Sequence, residues 1–136
     1  MKKMIRKLGA VSYLVKNYDE AIAWFTAVLA FELVEDIPLG AGKRWVVVAA
    51  QGTAETRLLL AKAEGANQIA AIGKAAGGRV AFFLNIDNFA REYERMLSAG
   101  VKFNEPPRHE AYGTVAVFED LYGNRWDLIE PKERPI

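Results

Sequence analysis

One acidic residue stands inside a segment whose pattern predicts a β-strand, and it is the side chain best placed for chemistry. The segment is Arg125–Ile129, in which apolar and polar side chains alternate with the period of two that is typical of a strand. Gly123 and Asn124 tolerate positive φ and predict a chain reversal before it. The alternation places Trp126 on one face and Asp127 on the other. Because aspartate is depleted in strands and costly to bury without a partner, Asp127 faces either solvent or an enclosed polar group.

His109 is the second candidate for chemistry, because it is the only histidine in the chain. Its unperturbed pKa of about 6.5 would allow acid or base catalysis near neutral pH. It lies between Arg108 and Glu110 in a segment that follows a proline pair and is predicted to be a loop. A loop histidine between charged residues is more often a surface residue, so both interpretations of His109 stay open.

The composition argues against several classes of partner. The chain has 136 residues, 51% of them apolar, which is enough for a substantial core. Its 18 basic and 17 acidic residues give a net charge of +1 without long runs of one sign, so neither nucleic acid nor a membrane is an expected partner. The absence of cysteine removes disulfides and thiolate sites and fits a reducing compartment. We therefore expect a cytoplasmic protein whose partner is a small molecule.

The chain is predicted to repeat one order of elements: strand, helix and three further strands. In the first half, strands are predicted over residues 7–15, 31–37, 43–51 and 56–62, with a helix that has Asp19 as N-cap and ends at Ala30. In the second half, strands are predicted over 79–86, 101–105, 112–118 and 125–129, with a helix over 88–99. The predicted organisation is a first module over 1–62, a connection over 63–78 with a short helix near 67–75, and a second module over 79–136.

Similar segments recur after one interval of 69 residues. Val11 aligns with Val80, Val46 with Val115, and Leu58 with Asp127. One interval that fits three separate strands is difficult to obtain from composition alone, so we interpret it as an internal duplication.

Two motifs carry a resemblance to a known superfamily. The first is Gly-Ala-Val-Ser-Tyr-Leu-Val from Gly9, which precedes a helix that begins Tyr-Asp-Glu-Ala-Ile, and the second is Asp-Leu-Tyr-Gly-Asn-Arg-Trp-Asp-Leu-Ile from Asp120. With the duplicated order of elements, they make the chain resemble the vicinal oxygen chelate superfamily, which includes glyoxalase I (lactoylglutathione lyase), bleomycin-resistance proteins, fosfomycin-resistance enzymes and extradiol dioxygenases. The resemblance implies an α+β fold with two tandem βαβββ modules forming curved sheets around a cleft, and commonly a homodimer.

The resemblance also implies where a metal would bind. In the metalloenzymes of the superfamily, a histidine or glutamine opens the first strand of each module, and a glutamate or similar residue lies on each last strand. Carried over to this chain, these places fall on Ala10, Arg79, Leu58 and Asp127. A divalent ion needs about three or more nitrogen or oxygen donors, and only Asp127 supplies one. We therefore expect no metal and no cofactor.

An ion pair within the second module is a further implication of the resemblance. If its first and last strands pair antiparallel, as the resemblance implies, Arg79 and Asp127 would face each other across them. The pair would either hold the module together in place of a lost metal site or orient a polar group of a ligand. Removal of one partner would be costly in both cases.

The remaining candidate ligand contacts follow from strand parity. The side chains expected to face the same interior as Asp127 are Ser12, Leu14, Leu58, Leu60, Ala81, Phe83 and Ile129. Trp45, Phe83 and Tyr112 are aromatic residues that either fill the core or contact a ligand. With Arg79 and Asp127, these residues form the predicted binding set, and His109 is the one catalytic candidate.

Two classes of function are open. The first is a metal-independent binding protein that sequesters an aromatic or amphipathic compound, as bleomycin-resistance proteins do; the apolar cleft and the incomplete ligand set favour it. The second is a glyoxalase- or dioxygenase-like enzyme with an altered active site, which the superfamily resemblance alone supports. Whether the protein is an enzyme thus stays open. A homodimer is expected because each half is a small open sheet with a helix on one face, and something must cover the other.

Overall fold

The computed structural model describes residues 4–50 and 56–132, and the chain divides into two compact units, Met1–Ile72 and Gly73–Ile136. Each unit contains one mixed four-stranded sheet. The α+β fold with two tandem modules is confirmed. Within the described residues, no helix has both the length and the apolar character needed to span a bilayer.

The first unit is built on a sheet with the strand order β1-β4-β3-β2. Its elements are β1 (Ala10–Val15), α1 (Tyr18–Ala27), β2 (Glu32–Gly40), β3 (Lys43–Ala49), β4 (Arg57–Lys62) and α2 (Gly65–Ala71). Strands β1 and β4 are parallel, and the other neighbours are antiparallel. The end of the predicted strand 43–51 lies outside the described residues.

Helix α1 covers one face of this sheet. Its N-cap is Asn17, whose side chain accepts a hydrogen bond from Glu20 N at 2.9 Å, so the prediction of Asp19 as N-cap was wrong by two residues. Phe25 is fully buried, and its ring contacts Tyr13 edge to face with centroids 5.2 Å apart. Strand β1 therefore turns Tyr13 towards the helix, and its alternate residues point to the other face.

Strand β2 continues past residue 37, where the predicted strand ended. It includes Pro38 and ends at Gly40, and the reversal is made by Ala41 and Gly42, which have φ of 54° and 79°. Proline is tolerated because β2 is at the edge of the sheet, where one row of N–H groups has no strand to bind. The pairing shifts register between Pro38 and Gly40.

The second unit repeats this topology with the strand order β5-β8-β7-β6. Its elements are β5 (Val80–Asn85), α3 (Phe89–Ser98), β6 (Arg108–Glu110), β7 (Gly113–Glu119) and β8 (Arg125–Pro131). Strands β5 and β8 are parallel, so the antiparallel pairing inferred from the resemblance was wrong. The reason is connectivity: a helical crossover followed by two reversals returns the last strand in the direction of the first.

The second strand of the second unit lies later in the chain than predicted. The segment 101–105 forms no named strand, and Phe103 makes only an isolated bridge to Phe118. The side chain of Phe103 instead contacts Tyr93 of α3, with ring centroids 4.6 Å apart. Strand β6 is the short edge segment that contains His109, so the loop prediction for that residue was wrong.

The turn before β8 is a hydrogen-bonded unit centred on a buried carboxylate. Asp120 accepts hydrogen bonds from Tyr122 N and Asn124 N at 3.0 Å and from Trp126 Nε1 at 2.8 Å. The buried Asn124 accepts a bond from Ala75 N at 3.0 Å, which fixes the start of the second unit to this turn. The turn therefore sets where β8 begins.

Candidate ligand-binding sites

Strand β8 separates the core of the second unit from an opposite face that carries Asp127. Trp126 is buried, and its ring lies 4.6 Å from Phe82 and 5.8 Å from Phe118. Asp127, half-buried, is registered with Phe83 on β5 and with Val117 on β7. We call these three residues the Asp127 face. Phe83 is 51% exposed, as expected for an aromatic side chain turned away from the core.

The charges near Asp127 belong to Arg108 and Glu105. Partial burial raises the pKa of Asp127 because the carboxylate loses water, Arg108 opposes that rise, and Glu105 adds to it. Arg108 binds Glu105 and also donates to Glu110 Oε1 at 3.2 Å. Hydrogen bonds to Glu105 and the Tyr112 hydroxyl raise the pKa of Arg108. Arg108 is thus held by neighbours other than Asp127.

The predicted ion pair between Arg79 and Asp127 was wrong. In the parallel register, Val80 lies opposite Arg125 and Phe83 opposite Asp127, so Arg79 stands before the strand and away from the carboxylate. Among the described residues, the charges that shift the pKa of Asp127 do not include Arg79. The cation near Asp127 comes from β6, which the sequence did not predict as a strand.

We expect Asp127→Asn to stabilise the protein at pH 7. Because the pKa of Asp127 is raised in the folded protein, the folded protein binds the proton of this carboxyl group more tightly than the unfolded chain does. The free energy of unfolding therefore falls as pH rises above about 3.8. Removal of the carboxylate should raise the free energy of unfolding at pH 7 by on the order of 0.5 kcal/mol, a small value because solvent screens the group. Urea unfolding at pH 7 and pH 3 measures this, and the gain should vanish at pH 3.

The matched control for this prediction is Asp87→Asn, which removes an exposed carboxylate from the same unit. It should change the free energy of unfolding by less than about 0.5 kcal/mol at either pH. A destabilised Asp127→Asn at pH 7 would show that a partner stabilises the carboxylate and would contradict the prediction.

The first unit buries the side chains of Leu58 and Leu60 in the core, so the prediction that Leu58 faces the cleft was wrong, whereas Leu60 also borders the concavity described below. Leu58 pairs with Val48 and Leu60 with Val46, and all four are buried. The sequence interval of 69 residues aligned Leu58 with Asp127. By burial, Leu58 corresponds to Trp126, and Leu59 occupies the place of Asp127. The interval differs between strands because the connecting segments of the two units differ in length.

The face away from α1 carries the other predicted contacts of the first unit. Ser12 and Leu14 on β1 are registered with Leu59 and Ala61 on β4. Trp45 on β3 is 41% exposed and precedes the buried Val46, so it belongs to the same face. With Leu59 in place of Leu58, the four places inferred for a metal still offer only the Asp127 carboxylate. This donor set does not fit a divalent ion.

A concavity of about 450 Å³ lies at one end of this sheet. It is bordered by the tip of the β2–β3 hairpin, the end of β4 and the start of α2. Its apolar lining includes Leu39, Trp45, Leu59 and Ala61, and its polar lining includes Tyr18, Lys43, Arg44, Lys62, Glu64 and Gln68. We call it the first-unit concavity. It exceeds the volume of about 300 Å³ at which small-molecule sites begin.

Arg44 is a fixed positive group at the edge of the first-unit concavity. It donates to both carboxylate oxygens of Asp36, at 2.7 and 3.1 Å, and to Asp19 at 2.9 Å. Its guanidinium also lies 5.1 Å from the ring centroid of Tyr18. These contacts lower the pKa of Asp36 and raise that of Arg44. Lys43 pairs with Glu64 at 3.5 Å across the rim.

The remaining predicted residues are not brought into one catalytic group. His109 is exposed on β6, with Nδ1 3.3 Å from Thr114 Oγ1, and Thr114 is its cross-strand partner. Tyr112 lies beside Arg108 in the second unit. Across residues 4–50 and 56–132, His, Asp and Glu side chains form no group of three that could hold a metal ion.

Sequence reasoning missed the two arginines that organise these surfaces. Arg44 lies between Lys43 and an apolar run, and Arg108 follows two prolines, so neither has a periodic signal of its own. For Arg44, acidic residues at 19 and 36 were visible but distant in sequence. For Arg108, the nearby Glu105 and Glu110 were a usable signal of a local ion-pair cluster.

Two tandem βαβββ modules, with partly exposed aromatic side chains on the faces away from the helices, define a glyoxalase-like architecture. The chain belongs to the Glyoxalase/Bleomycin resistance protein/Dioxygenase superfamily, whose family model matches residues 7–128. It is 49% identical over 132 residues to an uncharacterised protein of Shewanella frigidimarina, covering 96% of this chain and 98% of that one.

Two solved structures are similar over nearly the whole chain. UcmS2 has a TM-score of 0.79 and 30% identity, covering 93% of this chain and 99% of that one. TnmS3, described as an antibiotic binding protein from Streptomyces sp. CB03234, has a TM-score of 0.78 and 25% identity, covering 96% of this chain and all of that one.

Proposed function

We propose that this protein binds a small aromatic or amphipathic compound without a metal and sequesters it rather than transforming it. The observation that carries the proposal is the first-unit concavity, whose lining combines apolar side chains with several polar groups, as is typical of a small-molecule site. The similarity to TnmS3, an antibiotic binding protein, supports the same class of function.

Among the apolar residues that line the concavity, Trp45 offers a surface to a planar apolar group of the ligand. A partly exposed tryptophan on a strand provides a large rigid surface that a ligand ring can stack on or meet edge to face. Leu59 and Ala61 extend this surface along β4, and the small side chain of Ala61 leaves room beside the indole. Apolar contact would therefore supply most of the affinity.

The polar side chains that line the concavity would orient the ligand. Arg44 is anchored by two carboxylates, so little side-chain entropy is lost when it binds a ligand acceptor. Lys62 forms no ion pair with any residue in the described ranges and adds a positive charge. Gln68 of α2 can both donate and accept hydrogen bonds. An oxygen-bearing aromatic compound matches this arrangement.

The test is a thermal-shift screen of small aromatic and amphipathic compounds, followed by titration of each hit. A ligand that binds only the folded state raises the unfolding midpoint. Trp45→Ala should weaken a hit at least tenfold, about 1.4 kcal/mol, because the stacking surface is lost. His109→Ala removes an exposed side chain in the other unit and should leave the affinity unchanged.

Metal independence is tested in the same titrations. Affinity for a hit should be equal before and after treatment with EDTA, and elemental analysis should find no stoichiometric Zn, Ni, Mn or Fe. A stoichiometric metal, or a loss of affinity in His109→Ala that exceeds the loss in Trp45→Ala, would contradict the binding proposal and favour an enzyme. The proposed cytoplasmic homodimer is checked by light scattering, where a 15.1 kDa species alone would refute the dimer.

The other predicted contacts remain part of this proposal, each within its own unit. Ser12 and Leu14 share the sheet face of Leu59 and Ala61 and extend the apolar surface of the first unit. Phe83, Tyr112 and Asp127 belong to the second unit, where they define a surface of different chemistry.

A further inference from the structure

The Asp127 face contains a carboxylate that the protein itself leaves without a partner. Asp127 is half-buried, yet among the described residues it makes no hydrogen bond and no ion pair. Its cross-strand neighbours, Phe83 and Val117, are apolar and cannot replace the water that burial removes. Such a group is stabilised when a ligand supplies a donor.

The nearby cations are already engaged. Arg108 is bound by Glu105 and Glu110, and a move to Asp127 would break those bonds. Arg125, on the same face two residues earlier, is registered with Glu119 and attracts that carboxylate. Glu119 also binds Lys102 at 3.0 Å and Asn104 at 2.6 Å.

The charges around Asp127 favour a cation. Glu105 adds a second negative charge near Asp127, and the two nearby cations, Arg108 and Arg125, are each already drawn to a carboxylate of the second unit. A neutral donor would gain one hydrogen bond from the carboxylate, whereas a charged donor forms a hydrogen bond about twice as strong. Phe83 adds an exposed aromatic ring on the neighbouring strand, whose backbone runs about 4.8 Å from that of β8.

We infer that the Asp127 face binds a protonated amine carried by a planar aromatic ring, with the ammonium group on the Asp127 carboxylate and the ring on Phe83. A linker of about two carbons would span the distance between neighbouring strands. This inference rests on the proposed function for the ligand being a small organic molecule, but it concerns a surface of the second unit and a different chemical class.

Three probes with one ring system separate charge from ring contact: tryptamine, its neutral analogue tryptophol and the anionic indole-3-acetate. Each is titrated at pH 7 into ¹⁵N-labelled full-length protein, and amide shifts are followed by NMR. Tryptamine should shift the amides of Phe83, Val117 and Asp127 with at least tenfold higher affinity than tryptophol. Indole-3-acetate should leave these amides unchanged.

Variants identify the groups responsible. Asp127→Asn should reduce tryptamine affinity to that of tryptophol and leave tryptophol itself unaffected. The matched control Asp87→Asn removes the same charge elsewhere in the unit and should preserve the difference. Phe83→Ala should weaken tryptamine and tryptophol by similar factors, because it removes the ring contact and retains the carboxylate.

The outcomes separate this inference from the proposed function. Equal affinities for tryptamine and tryptophol, or no shift at the Asp127 face up to millimolar tryptamine, would overturn the inference. Shifts at Trp45, Leu59 and Ala61 report on the first-unit concavity independently. A response at the first-unit concavity without one at the Asp127 face would support the proposed function and overturn the amine site. A response at the Asp127 face without one at the concavity would support the amine site and count against the proposed function.

Discussion

Asp120→Ala is expected to lower the free energy of unfolding by about 3–5 kcal/mol, because it removes the acceptor for several buried donors at once. Trp126 Nε1 and the backbone and side-chain N–H groups of Asn124 all bind the Asp120 carboxylate. Both Trp126 and Asn124 are buried, so water would replace these bonds only if the turn opened. Urea denaturation at pH 7 measures the loss.

A graded variant makes this prediction sharper. Asp120→Asn keeps one oxygen acceptor and should therefore cost less than the alanine variant. Asp87→Asn should stay within about 0.5 kcal/mol of the parent protein, which excludes a general effect of net charge. A loss below about 1 kcal/mol for Asp120→Ala would show that the turn is held by other contacts.

Gly73→Ala is expected to cost at least about 2–4 kcal/mol through steric collision and backbone strain. Gly73 has φ of +79°, and a Cβ added there would lie 2.1 Å from the backbone oxygen of Tyr122. The obstacle is backbone, so it cannot move aside as a flexible side chain would. Either the Asp120 turn or the start of the second unit must shift, and thermal or urea unfolding reports the cost.

Gly77→Ala is the matched control for the collision. Gly77 also has positive φ, +60°, but a Cβ there would have nothing within 4 Å. It should therefore cost only the backbone strain, about 1–2 kcal/mol. Equal losses in the two variants would show that strain alone explains Gly73 and that the contact with Tyr122 is not tight.

These two variants also bear on the proposed amine site. Strand β8 begins at Arg125, directly after the Asp120 turn, and Asp127 is its third residue. A turn that opens would loosen the pairing of β8 with β5 and move the carboxylate relative to Phe83. We expect tryptamine affinity to fall in variants that remain folded but shift this turn, while the first-unit concavity is unaffected.

Much of the architecture could be predicted from local sequence. Asn88 caps α3, with its side chain accepting from Arg91 N at 3.1 Å, and it is the residue at which that helix was predicted to begin. The alternation in β8 correctly separated Trp126 from Asp127, and the parity of β5 correctly put Phe83 on the Asp127 side. These features depend on capping and on a period of two, both of which act within a few residues.

The sequence by itself determined the two βαβββ modules and placed Asp127 within the last strand, on the face opposite Trp126. Only the tertiary structure decided that β5 and β8 run parallel, that Leu59 rather than Leu58 corresponds to Asp127, and that Arg108 rather than Arg79 is the cation near it. The physical reason is that register and strand direction are set by hydrogen bonds between residues far apart in the chain. A shift of one residue turns every side chain of a strand to the other face, so no local pattern could fix which residues meet.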